Sequence, residues 1–582
     1  MRYGTTDRIA LLLFLLLLCC VSPLSAQDVE GFWSEINERL AKREYLRVSG
    51  QGGASIGYNY FDDGARDVPR NRPAFNYRIN GGLNFDLLGI QAPLTIAYSN
   101  RNTVYGLPSY SFVGMSPSYR WITLHGGDRS LTFSPYSLSG VNFRGGGLEL
   151  TPGKFYIGAM HGRLRRARVQ DVRSIQTGLE TPLRRMGSGL KLGFDSGQGS
   201  EIAVSTFSSE DRVEGATDSL LTRPERNLVL AVSGAQTLSK LVSFSFEYAR
   251  SLLTRDVTAP ALENVPGRLR LFGLFDPNIT TSAADAYNGT VTLRPKFGTL
   301  NIKYERIAPE YRTHGSLFFQ NDLENFTTGV AAPLFEGKLN LSANAGFQRN
   351  DLRNISATNL NRFIGAANLQ YNWSERVSST LSVSNFTTTN RYRARTLDNP
   401  VTDSLVLAQT QFSLDGSTSV LLDAAGTQSL LLSASWQRAN LLRNEVVDTT
   451  QQSSFAMFLA GYTYQPEDAG SLTATVLIHR NVTPQLSLLT AGPTVAYGRT
   501  VLEDRLNLNG MASYTLTFAS FADPALPEPS AGGVLQLSLG GGFELGEQQS
   551  IDLTTTLLRA ADTEARPGYT DVQLSLSYGS RF

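Results

Sequence analysis

Cysteine is all but missing from this chain of 582 residues: Cys19 and Cys20 are the only two, side by side in the first segment. Without that segment no thiol is left, which excludes disulfides, thiolate metal sites and cysteine catalysis from the remainder. Histidine is scarce too. His125, His161, His314 and His479 form no two-histidine pair at helical spacing, so neither a metal site nor a cofactor is expected. Net charge is only +1, with 18% charged and 41% hydrophobic residues. That balance suits neither a nucleic-acid partner nor a disordered chain. Beyond the first segment no apolar run nears the roughly 20 residues that a spanning helix needs. If the chain crosses a membrane, strands must do it.

The first segment reads as a secretory signal over residues 1–26. Arg2 and Arg8 precede the apolar run from Ile9 to Val21, and Ser25-Ala26 offers a small-residue exit before Gln27. Leu18 before Cys19 is not the small residue that lipidation of a cysteine requires. Residues 27–44 follow a helical period, with Phe32, Trp33, Ile36 and Leu40 on one face. This predicts a short periplasmic amphipathic helix, seated at a barrel mouth, on a leaflet or against a partner.

From Leu46 the period switches to two and stays there. Val242, Phe244, Phe246 and Tyr248 alternate with Ser243, Ser245 and Glu247. Leu339, Leu341, Ala343, Ala345 and Phe347 alternate with Asn340, Ser342, Asn344, Gly346 and Gln348. Leu535, Leu537 and Leu539 alternate with Gln536 and Ser538. Successive side chains of a strand point to opposite faces, so each segment has an apolar and a polar face. Strands of a soluble double-layer core alternate likewise, but two packed sheets rarely hold this many long strands. The connections discriminate better. Short turns such as Gly89-Ile90-Gln91, Gly126-Gly127-Asp128, Pro152-Gly153, Phe297-Gly298 and Glu336-Gly337 alternate with longer segments such as 101–117, 163–185, 253–285, 307–322 and 439–451. The segment 135–140 is a shorter one in the same series. Short turn and long loop in alternation mark an outer-membrane barrel. Residues 45–582 are therefore expected to form one all-β, antiparallel, up-and-down transmembrane β-barrel of about 26 strands, within a range of about 22–28.

The last strand, Asp571 to Phe582, places Val572, Leu574, Leu576, Tyr578 and Phe582 on one parity and stops on an aromatic residue. In this it resembles the terminal strand of bacterial outer-membrane β-barrels, and the general style is similar to large barrels of the Bacteroidetes type. The resemblance implies the outer membrane of a Gram-negative bacterium, with its lipid and lipopolysaccharide as surroundings. It also implies that Tyr578 and Phe582 belong to a signal read by the barrel-assembly machinery. Trp373, Trp436, Tyr462, Tyr464 and Phe518 fall near strand ends on the apolar parity, where rings anchor at headgroup level.

Chemistry-bearing constellations are few. His125 stands three residues from Asp128, but an expected turn is a poor place for an acid/base pair, so no enzyme is expected. Only residues 27–44 precede the first strand, which leaves no room for the plug of TonB-dependent transporters. The segment 163–185 gathers Arg163, Arg165, Arg166, Arg168, Arg173, Arg184 and Arg185 against Asp171 and Glu180. Guanidinium groups bind phosphate and carboxylate bidentately. In the lumen they would favour anionic solutes; at the rim they would bind lipopolysaccharide phosphates; otherwise they line a solvated loop. Tyr105, Tyr110, Phe112, Tyr119 and Trp121 lie in a stretch dense in Gly, Pro and aromatics, the candidate constriction or else an external packed loop. The leading expectation is a passive, porin-like or substrate-selective channel for small hydrophilic solutes. A partner-anchoring barrel with a closed lumen is the alternative, and a surface receptor or adhesin stands third.

Overall fold

A computed structural model describes residues 46–62, 74–100, 111–167, 183–213, 223–269, 274–317, 319–356, 358–392, 405–443, 446–466, 469–523, 531–562 and 568–582. Twenty-seven strand segments run from β1 (Leu46–Asp62) to β27 (Tyr569–Arg581) in one sheet. β4 (Phe112–Met115) and β5 (Ser118–Tyr119) share one place, both lying between β3 (Ile90–Ser99) and β6 (Ile122–Ser130). The 27 segments thus fill 26 positions. The break between β4 and β5 falls at Pro117, whose ring nitrogen has no proton for the ladder. β27 pairs with β1 from Gln51↔Arg581 to Asp62↔Thr570. Hydrogen bonds between Gly50 and Phe582 run both ways at 2.7 and 3.0 Å. The sheet is a closed antiparallel barrel with no free edge. The expected short helix at 27–44 lies outside the described residues, which hold only two 3-10 turns, Gly267–Leu269 and Phe335–Gly337.

Register carries a single parity around the ring. Gln51 lies opposite Gly82 and Arg581, Gly82 opposite Thr95, Ser513 opposite Gln536, and Thr556 opposite Gln573. This polar parity faces the lumen. The other parity carries Ile56, Leu124, Phe246, Phe347, Leu537 and Leu576, all exposed. An apolar exterior around a polar interior inverts the arrangement of a soluble barrel.

Two belts bound the apolar band. At the short-turn end Phe155, Phe297, Phe335 and Trp373 are 58–70% exposed. At the loop end a row of rings, Tyr304, Phe326, Phe347 and Phe363, crosses β14 (Thr299–Ile307), β15 (Leu323–Leu334), β16 (Leu339–Arg349) and β17 (Thr358–Ser374). Above that row lie Arg306, Glu324 and Arg349, where Glu324 pairs with both arginines and accepts the Tyr304 hydroxyl. β12 (Val242–Thr254) and β13 (Thr281–Leu293) repeat the device: Asp285 accepts from Arg250 at 2.7 Å and from the Tyr248 hydroxyl at 2.8 Å. Rings with a polar tip, topped by ion pairs, suit a boundary between apolar and aqueous phases.

Three expectations about connections change. Gly126-Gly127-Asp128 is not a turn but the middle of β6; the chain reverses at Arg120-Trp121, with Arg120 at φ 51°. Gly127 answers a different need, since a Cβ there would run into the Val113 carbonyl of the adjacent strand. Residues 439–451 are not a long loop, because β20 (Gln428–Arg443) and β21 (Val446–Tyr464) extend through them. The β-branched pair Val446-Val447 sustains the ladder there, and Arg443 pairs with Asp448 at 3.6 Å. Third, 135–140 and most of 307–322 are not outer loops but fold inward.

Leu537→Arg is expected to destabilise the barrel by about 2–4 kcal/mol near a bilayer midplane, whereas Ser538→Asn on the lumenal face stays near neutral. Folding titrations in lipid, followed by heat-modifiable gel migration, give the comparison; equal costs would reverse the face assignment.

Candidate functional site

The lumen is lined unevenly. On one side β7 (Asn142–Leu150), β8 (Phe155–Arg165), β9 (Arg184–Asp195), β10 (Ser200–Arg212) and β11 (Arg226–Thr237), with β12–β15, carry a block built from 131–141 and 308–322. Leu131, Phe133, Leu138 and Val141 pack on Phe143, Met160 and Phe207, which occupy the inward parity. Tyr136 and Tyr311 pack on inward Val229, Ala231, Ala249, Ala284, Ala286 and Ile307. Strand glycines make the space: a Cβ on Gly189 would lie 2.5 Å from the Phe133 ring, and one on Gly147 3.2 Å from Leu131.

Hydrogen bonds knit the two segments together. The Tyr311 hydroxyl donates to the Tyr136 carbonyl at 2.7 Å, and Thr313 Oγ1 to the Ser137 carbonyl at 2.6 Å. Ser139 N donates to the Gly315 carbonyl at 2.7 Å. The buried Tyr136 hydroxyl donates to Glu305 at 2.6 Å and accepts from Asn288 at 3.0 Å. Asn227, wholly buried, donates to Ser251, Leu252 O and Arg312 O, and accepts from His314 N. Most polar groups turned inward here have a partner of this kind, while Glu247 Oε1 and Ser282 Oγ are buried without one.

A charged latch holds the loop-end edge of the block. Asp211 accepts from Arg185 in two 2.7 Å bonds and from Arg165 at 3.3 Å. Glu225 receives Arg185 at 3.0 Å, Arg312 at 3.7 Å and His314 Nε2 at 3.1 Å. Burial and the nearby Arg185 push His314 down to about 4. Burial alone would raise Glu225, but His314, Arg185 and Arg312 hold its carboxyl at about 2. His314 is therefore neutral at pH 7: its Nε2–H donates to Glu225, and Nδ1 accepts the Ser209 hydroxyl at 2.8 Å.

A second lumenal network lies nearer the turn end. His125 Nε2 meets Glu149 at 2.9 Å, Tyr156 donates to the same carboxylate at 2.6 Å, and the Ser116 hydroxyl meets His125 Nδ1 at 2.9 Å. Since a carboxylate only accepts, His125 carries its proton on Nε2 and Nδ1 accepts from Ser116. This chain ties the β4–β5 connection to β6, β7 and β8. Asp128 takes no part, because it stands on the outer face of β6 while His125 stands on the inner.

The remaining wall is different. Beyond Asp351 the only non-glycine residues that are buried, among the described ones, are Thr388 and Ser435. Inward positions there are mostly Asn, Ser, Thr and Gln, joined in cross-strand pairs such as Asn368–Ser382 at 2.6 Å, Ser384–Ser413 at 2.7 Å and Thr490–Thr517 at 2.9 Å. An apolar strip interrupts them at Phe455, Met457, Leu459 and Leu477, with the His479 ring 5.7 Å from Phe455.

The arginines of 163–185 are divided rather than gathered. Arg165 and Arg185 face inward and are engaged by Asp211 and Glu225, whereas Arg163 and Arg184 fall on the outward parity. Arg166 follows β8; Arg168 and Arg173 lie outside the described residues. Phe112 is on β4, Tyr119 on β5 and Trp121 in the β5–β6 turn, while Tyr105 and Tyr110 lie outside the described residues. Tyr578 faces outward on β27, and Phe582 closes the seam. The block itself went unread in the sequence. Its signal was there, since Phe143, Met160, Phe207, Val229 and Ala231 make both parities apolar on β7–β11, the mark of strands covered on two faces.

No protein-family model matches the chain, and no curated protein sequence does. Solved structures align along most of its length. The translocation pore of the P pilus usher PapC is 10% identical, with 92% of this chain and 99% of that one covered, at a TM-score of 0.35. The siderophore receptor PirA from Pseudomonas aeruginosa is 10% identical over 92% and 80%, at 0.33. Pseudomonas aeruginosa OccK7 is 12% identical over 74% and 97%, at 0.28. The chain is a large closed β-barrel whose structural neighbours are outer-membrane proteins.

Two outcomes are expected of the block. Gly189→Ala forces the Phe133 ring aside and destabilises by about 1–3 kcal/mol, as overpacking does; protease cleavage within 131–141 should rise with it. Both His314 and Glu225 titrate lower in the folded chain than their ordinary 6.5 and 4.5, so the unfolded chain binds more protons as pH falls. Stability is expected to drop from about pH 6.5 toward 4 through His314, and from about 4.5 toward 2 through Glu225. His314→Gln, which keeps a donor for Glu225, should flatten the upper part of that decline; an unchanged slope would acquit the histidine.

Proposed function

We propose that the chain is a passive outer-membrane channel for small hydrophilic solutes. One observation carries this reading: the inner face of β16 onward is polar, largely uncharged and not packed against any described element. A barrel of this many strands is wide enough to hold an aqueous passage unless filled, and the block occupies one side only. In this reading the short turns face the periplasm, the long connections face outward, and lipid and lipopolysaccharide surround the apolar band. The barrel-assembly machinery would seal the β1–β27 seam, and no catalytic step is involved.

Charge preference follows from the pairing. Because Arg165 and Arg185 are neutralised by Asp211 and Glu225, we propose little anion bias from 163–185. Uncharged hydroxyl and amide walls suit neutral polyhydroxylated or zwitterionic solutes.

Single-channel recording of the purified chain in a planar bilayer tests the reading. Expected is a stable conductance with a reversal potential near zero in a salt gradient, barely moved by joint replacement of Arg163, Arg165, Arg166 and Arg168 with Ser. Deleting 132–140 should enlarge the conductance. Absence of any conductance in the wild type would overturn the channel and leave a closed barrel that anchors a partner.

A further inference from the structure

The open wall of the lumen carries little charge. Among the described inward positions from β18 (Val377–Tyr392) to β24 (Leu506–Phe521), Asp415, Arg443 and Asp448 are the charged residues, His479 aside. Arg443 and Asp448 stand near the loop end and pair with each other at 3.6 Å. Asp415 stands well within β19 (Leu405–Leu421), half-buried, and its Oδ1 accepts the Ser435 hydroxyl. The other hydroxyls around it are engaged elsewhere: Ser382 with Asn368 at 2.6 Å, Ser413 with Ser384 at 2.7 Å, and Ser417 with Thr380 at 2.6 Å. Asp415 Oδ2 is left without a hydrogen bond from any described residue.

The register sets an apolar strip at the same level. Asp415 lies opposite Ser435, Ser435 opposite Met457, and Met457 opposite His479. Met457 is the middle of the inward series Phe455, Met457 and Leu459 on β21, and Leu477 on β22 (Ser471–Val482) stands opposite Leu459. Two strand spacings separate the backbones of Asp415 and Met457, about 10 Å, and their side chains narrow that gap. All four apolar residues of the strip are partly exposed to the lumen. Apolar surface in water and a carboxylate oxygen short of a donor are each unfavourable. A solute with an apolar body and a positive end relieves both. Calcium or magnesium fits poorly, because each takes about six or more oxygens and one carboxylate with one hydroxyl supplies too few. We infer that Asp415 and the strip of Phe455, Met457, Leu459 and Leu477 form a solute site for a small organic cation, an ammonium joined to an apolar body. This rests on the channel reading above and adds a solute class to it: the ammonium donates to Asp415 Oδ2, and the apolar body lies past Ser435 on Met457.

The test is calorimetric titration of the full chain in phosphatidylcholine nanodiscs with 4-phenylbutylammonium, and with 4-phenylbutanol as its uncharged counterpart. Nanodiscs without protein give the lipid blank. The wild type should bind the ammonium about tenfold more tightly than the alcohol, as a charge-assisted hydrogen bond predicts. Asp415→Asn keeps the side-chain shape and an acceptor for Ser435, and it should erase that preference. Met457→Ser with Leu459→Ser should weaken both ligands. Asp552→Asn, at another inward carboxylate on β26 (Gln549–Ala560), should bind as the wild type does. Equal binding of the two ligands by the wild type would overturn the proposal, whether or not any variant folds. So would an Asp415→Asn chain that still prefers the ammonium, or a double variant with unchanged affinities. Displacement of the ammonium by millimolar calcium, but not by sodium at equal ionic strength, would make this a metal-ion site instead. Binding is read without current, so the two readings fail separately. A chain that binds but does not conduct loses only the channel, and one that conducts but does not bind loses only the site.

Discussion

Closure of the hydrogen-bonded ladder is the constraint on which the rest depends. A strand edge in an apolar phase leaves main-chain N–H and C=O groups unpaired at several kcal/mol each, so only a ring that meets itself is tolerable. Here the meeting is between β1 and β27, down to the reciprocal bonds of Gly50 and Phe582. Closure also forces an even number of positions, since each antiparallel neighbour must reverse direction. That is why the interruption at Pro117 divides one strand into two pieces without adding a position.

Once the ring is closed, parity decides every side chain's phase. A shift of one residue in one strand would turn its whole apolar set inward. The segment of arginines shows the consequence. Neighbours in sequence, Arg163 and Arg165, part to opposite faces across the irregularity in β8, one toward other arginines outside and one toward Asp211 inside. A run of arginines along the chain is thus divided between the two faces of the sheet.

The inward block is where the polar-inside pattern is broken most widely, beside the narrow strip at Phe455, Met457, Leu459 and Leu477. Aliphatic and aromatic residues on the lumenal parity of β7–β12 can be buried only because 131–141 and 308–322 come back to cover them. The covering segments need room close to the wall, which Gly147 and Gly189 supply by lacking a Cβ. Asn227, Tyr311 and Thr313 then satisfy backbone carbonyls of segments that have no ladder of their own. Polarity is thus sorted around the lumen: a covered wall on one side, a hydroxyl- and amide-lined wall on the other.

The period-two alternation by itself determined the class of fold and the faces of residues such as Leu537 and Ser538, and the succession of turns and loops bounded the positions at about 26, within about 22–28. Those properties are set by nearest neighbours along a strand and by the cost of apolar contact with water. Turn placement was less legible. Gly126-Gly127-Asp128 carries turn chemistry, but Gly127 answers a close approach between strands, which only the neighbour across the ladder reveals. The pairing of Arg185 with Asp211 and Glu225, of His314 with Ser209, and of Tyr136 with Glu305 joins residues 26 to 169 positions apart. No local pattern encodes such meetings. They were decided by which strands the ring brings side by side and by which segments fold back over the wall.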